Sequence, residues 1–109
     1  MSDVRMPMPT VRVTRYEVSC LPADHHHAAD FTVTVECDEQ GRWMVRRGAQ
    51  VLSVEGVWAP EPSPFQRTVE WERSHLFTEE KAVRLARVTV PNLRAGDRTA
   101  DAVLAGADS

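Results

Sequence analysis

The residues Phe31–Cys37 alternate apolar and polar side chains without a break. Phe31, Val33, Val35 and Cys37 fall on one face, and Thr32, Thr34 and Glu36 on the other. A period of two marks a strand with one covered face. DEQG follows, with Gly41 available for a left-handed turn position. RWMVRR then returns as a second strand, so the pair reads as a hairpin. Gly48 permits another reversal into QVLSVEG. Strands joined this closely pair antiparallel, because parallel neighbours need long crossovers.

Upstream, TVRVTRYEVSC is strand-like but changes phase: Val11 and Val13 share one face, and Tyr16, Val18 and Cys20 the other. A β-bulge at Thr14–Arg15 would reconcile the two halves. WAPEPSP carries three prolines, which remove backbone donors and restrict the residues before them, and so reads as a stiff connector outside the sheet. FQRTVEWE resumes a strand pattern through Phe65, Val69 and Trp71, with Arg67 as the exception.

A helix is expected next. Thr78 suits its N-cap, Glu79 and Glu80 its positive end and Arg87 the opposite end, while Phe77 and Ala82 stand at hydrophobic-staple positions. Ala82, Leu85, Ala86 and Thr89 form a narrow apolar face, and Pro91 stops the element. NLRAGD is a turn, and TADAVLAGADS opens with a short helix capped by Thr99.

These elements predict an α+β fold: a small antiparallel sheet of about four strands packed against one main helix, with a short C-terminal helix. Residues 1–10 read as a flexible arm, 11–105 as a single domain and 106–109 as a frayed end. One helix covers one face, leaving the other for solvent or a partner.

Composition narrows the function classes. A hydrophobic fraction of 42%, with seven prolines and five glycines, suits one loop-rich globular domain. The 13 basic and 16 acidic side chains give a net charge of -3, without the basic surplus of a strong nucleic-acid binder. Lys81 is the lone lysine. Arginine suits bidentate carboxylate pairs, although a GC-rich genome yields the same bias. No apolar run reaches roughly 18 residues, so no membrane span is expected. The N-terminus lacks the continuous apolar core of a signal peptide. Two cysteines are too few for a secreted disulfide scaffold, which points to a soluble cytoplasmic chain with reduced thiols.

CLPADHHHAAD is the most conspicuous stretch. Cys20, His25, His27 and Cys37 are competent zinc ligands, but C-x4-H-x-H-x9-C lacks the close pairs of a knuckle or helix site. Asp24 and Asp30 could orient those histidines, yet they also suit a solvated turn. A Cys20–histidine nucleophile pair has no accompanying oxyanion-forming motif. Glu70, Glu72 and His75 could carry acid–base chemistry if the segment is extended, since both carboxylates would then share a face. No phosphate loop, nucleophile elbow or dinucleotide glycine pattern is present. No catalytic residue, metal or cofactor is therefore assigned.

Surface recognition remains. Arg42, Met44 and Arg46 share one strand face, and Trp43, Val45 and Arg47 the other. Such a face could contact phosphate while Trp43 stacks on a base, but Glu36, Asp38 and Glu39 lie across the hairpin and favour cross-strand charge pairs. Trp58, in the proline-rich connector, is harder to hide than a core indole, and with Phe65 it offers an apolar contact. The favoured expectation is a non-enzymatic accessory or regulatory protein that binds a protein partner or itself, using Trp58, Phe65, Arg42, Arg46 and Arg47. A small nucleic-acid-binding regulator is the alternative, and a metal-assisted or acid–base enzyme the third reading.

Overall fold

Alternation between Thr32 and Cys37 makes the strand around which the rest of the chain is arranged. In the computed structural model, which describes residues 7–106, five strands follow one another as a meander. They are β1 (Arg15–Ser19), β2 (Thr32–Cys37), β3 (Trp43–Arg47), β4 (Gln50–Leu52) and β5 (Trp58–Pro60), all antiparallel. Two helices follow, α1 (Val69–His75) and α2 (Glu79–Thr89). A small hairpin of β6 (Arg94–Ala95) and β7 (Arg98–Thr99) turns at Gly96, whose φ of 64° is left-handed, and leads into α3 (Ala100–Leu104). The α+β class holds, as do the main helix and the short C-terminal one.

The register explains the core. Val35 lies opposite both Tyr16 and Val45, Val18 opposite Val33, and Cys37 opposite Trp43. These side chains share the face that α2 covers. Ala82 and Ala86 of α2 are fully buried, and their small side chains let the helix approach Val33, Val35 and Val45 closely. Thr78 caps α2 by accepting from the Lys81 amide at 3.2 Å. Phe77 and Trp43 exchange backbone hydrogen bonds of 2.8 Å, which pins the helix entry to the start of β3. Both staple residues, Phe77 and Ala82, are buried.

Three sequence expectations are corrected. The strand expected over Thr10–Cys20 spans only Arg15–Ser19, so no bulge is needed: Val11, 98% exposed, and Val13 lie outside the sheet. Trp58 is not in a free connector, because the sheet continues through β5. Pro60 is tolerated there because Val51–Ala59 and Ala49–Glu61 are the hydrogen-bonded pairs. Pro60 sits opposite Gln50 in a non-bonded position, on an edge strand.

The third correction concerns FQRTVEWE, which forms a 3-10 turn (Pro64–Gln66) and then α1 rather than a strand. The Thr68 hydroxyl accepts from the Trp71 amide at 3.0 Å, the acidic Glu70 and Glu72 lie in the first turn, and Arg73 and His75 in the last. Cap and charge gradient outweigh a weak alternation. The expected arm at 1–10 and frayed end at 106–109 fall largely outside the described residues. Within them, residues 7–14 carry no regular secondary structure.

Candidate interaction site

The face of the sheet opposite α2 is covered on its β3–β5 side and open at β1, where Arg15 and Glu17 are exposed. Arg15, Glu17, Thr34, Glu36, Met44, Arg46, Val51 and Ala59 occupy it by register, and Met44 and Val51 are buried there. Cover comes from the chain between β5 and α2, an arch tied down by ion pairs. Arg46 Nη1 reaches Glu61 Oε1 at 2.6 Å while its Nε donates to Glu36 Oε1 at 2.7 Å. Arg67 donates to the second oxygen of Glu61. Arg42 joins Asp38 and Glu72, both at 3.1 Å. The Arg67 guanidinium also stands 4.8 Å from the Trp71 ring centre, and Trp71 stacks on His75 at 4.6 Å with the planes 8° apart.

This chain of contacts clamps both ends of a short turn. Between them, Pro62 and Pro64 stiffen the backbone, the Ser63 amide donates to Gln66 Oε1 at 3.3 Å and the Gln66 amide donates to the Ser63 carbonyl at 2.9 Å. Phe65 stands at the tip, 99% exposed. An aromatic ring of that size, fixed on a braced turn and turned wholly to solvent, is unusual for a residue that normally contributes to a core or an interface. Val69, at the start of α1, is exposed nearby in the chain.

Electrostatics hold the arch in place. The hydrogen bond from Arg46 is the main reason the Glu61 carboxyl sits below its ordinary value, with Arg46 and Arg67 charge adding to it against the opposing effect of burial. Arg46 is correspondingly pushed up, chiefly by its bond to Glu61. A carboxyl depressed in the folded state contributes stability above its unfolded value, and that contribution disappears as pH falls through the folded value. The ordinary value is 4.5. Acidification below it should therefore weaken the native protein. Urea unfolding followed across this range should show a shallower acid loss in Glu61→Gln than in the wild type; equal slopes would remove the ion pair from the account.

The five predicted contact residues do not form one patch. Arg42 and Arg46 point to the arch side, whereas Trp58 and Arg47 belong by register to the α2 side. Trp58 is half-buried against the core. Arg47 donates to the carbonyls of Asp30 at 2.6 Å and Arg94 at 2.7 Å, tying β3 to the C-terminal hairpin. Trp43 is buried. Only Phe65 is openly presented. Arg67 and Trp71 read from the sequence as strand positions and Glu61 as the rim of the contact, so their joint role as its support was not anticipated; the cap at Thr68 followed by acidic and then basic residues was the available signal for α1.

The other candidates disperse. Among the described residues, no three His, Cys, Asp or Glu side chains gather as a metal-binding group. Cys20 and Cys37 are free thiols, both half-buried. His25 stacks on His26 with ring centres 4.8 Å apart, the His27 ring lies tilted against His26 at 4.2 Å, and the His27 amide donates to His25 Nδ1 at 3.1 Å. His75 Nδ1 lies 2.9 Å from the Trp71 carbonyl, and Glu72 pairs with Arg42. In a helix Glu70 and Glu72 no longer share a face. No helix among the described residues is long and apolar enough to cross a membrane. No protein-family model, curated protein or solved structure matches this chain.

Proposed function

We propose that this chain is a non-enzymatic accessory or regulatory protein of the cytoplasm that binds a protein partner through the Phe65 arch. The observation that carries the reading is the fully exposed Phe65 ring on a turn braced by Pro62, Pro64 and the Arg46–Glu61–Arg67 ion pairs. A partner of matching chemistry offers an apolar pocket for the ring. Bracing lowers the entropy lost on docking, because the turn is already in one conformation. Arg42 and Arg46 act here as positioning residues that hold the arch. The free thiols of Cys20 and Cys37 agree with a reducing compartment.

Nucleic-acid binding has less support, since Arg42, Arg46 and Arg47 commit donors to internal partners and Trp43 is buried. The acid–base enzyme reading has lost the shared face that motivated it.

A photo-reactive phenylalanine analogue at position 65 tests the proposal in extracts of the source cells, with the same analogue at the equally exposed Val11 as control. A discrete protein adduct at position 65 and none at position 11 is the expected result. The same labelling at both positions, or no adduct at 65, would overturn it.

A further inference from the structure

The two edges of the sheet are built differently. At one end, β5 carries Pro60 and continues into the arch. At the other, β1 pairs with β2 alone, and among the described residues no further backbone hydrogen bond reaches it apart from that ladder. The Cys37 amide donates to the Thr14 carbonyl at 3.0 Å, which makes Thr14–Cys37 a hydrogen-bonded pair. Alternation then makes Tyr16–Val35 and Val18–Val33 bonded pairs too, so the N–H and C=O groups of Arg15, Glu17 and Ser19 point outward. An open row of this kind is a template for another strand.

Charge on that edge selects what the strand is. Arg15 and Glu17 are exposed, on the same sheet face, and among the described residues neither side chain has a hydrogen bond or ion pair. We propose that β1 is a self-docking edge: a second copy of this chain adds its own β1 antiparallel, with Arg15 opposite Glu17 of the copy and Glu17 opposite its Arg15. Tyr16 then faces Tyr16 of the copy on the two-fold axis, and both Arg15–Glu17 pairs exchange their outward backbone hydrogen bonds.

The register is specified in both directions. Sliding the copy by two residues one way sets Glu17 against Glu17, and the other way sets Arg15 against Arg15; like charges directly opposite are destabilising. A slip of one residue matches outward groups with residues already bonded to β2. A groove of about 470 Å³ runs beside the edge and is lined by Tyr16, Val18, Val83 and Arg87 among others. On α2, Glu79 and Glu80 lie four and three residues before Val83, and Arg84 and Arg87 one and four after it. Tyr16, on the proposed two-fold, donates to Glu79, so the two α2 helices run in opposite directions with their acidic first turns nearest the axis and their Arg87 ends away from it. The proposal stands apart from the Phe65 arch, which lies at the other end of the sheet order.

Sedimentation equilibrium of the purified chain tests it. The wild type should associate reversibly to a dimer. Arg15→Glu and Glu17→Arg should each weaken that dimer by roughly tenfold or more, since each change places like charges across the axis twice. Mixing the two single variants should restore a heterodimer, and the double variant should pair with itself again. Unchanged far-UV circular dichroism would show that the exposed substitutions leave the fold intact, and Phe65→Ala should dimerise as the wild type does. A wild type that stays monomeric at every concentration, single variants that dimerise undiminished, or mixing that fails to restore association would overturn the proposal.

Discussion

Phe31→Ala should be the most damaging single substitution, lowering unfolding free energy by about 3–5 kcal/mol. Phe31 is 1% exposed and closes a 3-10 turn (Ala28–Phe31), entering the core just before β2 begins. Its ring belongs to the same buried cluster as Val33, Leu93 and Val103, so it joins the sheet to the C-terminal hairpin and α3. Its carbonyl accepts from Ser19 Oγ at 2.9 Å, which holds the turn against the end of β1 and limits how far the site can collapse. A cavity that cannot close retains its full cost. A domain of this size has on the order of 5–15 kcal/mol in total, and the loss should lower the melting temperature by on the order of 20 °C. Phe31→Leu, which keeps most of the volume, should lose about 1 kcal/mol. Thermal denaturation followed by circular dichroism separates the two, and a fall of less than roughly 5 °C for the alanine variant would contradict this view of the core.

Arg46→Met should be the second, at about 2 kcal/mol. The guanidinium bonds Glu36 and Glu61 at once, and all three side chains are largely shielded, with 25%, 34% and 24% of their surfaces exposed. Replacing the charge with an apolar side chain leaves Glu36 without the partner that answers its partial burial, while Glu61 keeps only Arg67. The remaining solvent access holds the effect below the 3–5 kcal/mol of a fully buried pair. Arg46→Lys should recover only part of the loss, because an ammonium cannot fork between two carboxylates. A second readout distinguishes the arch from the sheet: backbone amides of residues 63–67 should exchange faster in Arg46→Met while those of β2 and β3 slow-exchange as before. Urea unfolding that changes by less than about 0.5 kcal/mol would mark the pair as an ordinary surface bridge.

How far the sequence discloses all this depends on the range of the interaction involved. β2 and α2 were legible because a single local signal dominates each: uninterrupted alternation in one, a capped apolar face in the other. The C-terminal helix was legible for the same reason, Thr99 accepting from the Ala102 amide at 3.3 Å. Val69 and Trp71, by contrast, fit a two-residue period as well as they fit a helix, and Thr68 had to decide between them. Trp58–Pro60 looked unfit for a sheet because proline's cost depends on whether its position in the ladder needs an N–H, and that is a property of register. The candidate site was the least legible part. Phe65 is exposed, whereas the grouping of Arg42 and Arg46 with Trp58 crossed the sheet from one face to the other. Glu61 finds Arg46 only after three strands have folded between and beside them, and no local pattern records that meeting.

The arch places one ring in solvent and supports it from both ends, and the account rests on that ring being a contact. Its most direct test is a titration of the purified protein captured at position 65 against the wild type and Phe65→Ala. Loss of about 2 kcal/mol, roughly thirtyfold in Kd, with an unchanged melting temperature, is the predicted result. Equal affinities for the two chains would contradict it.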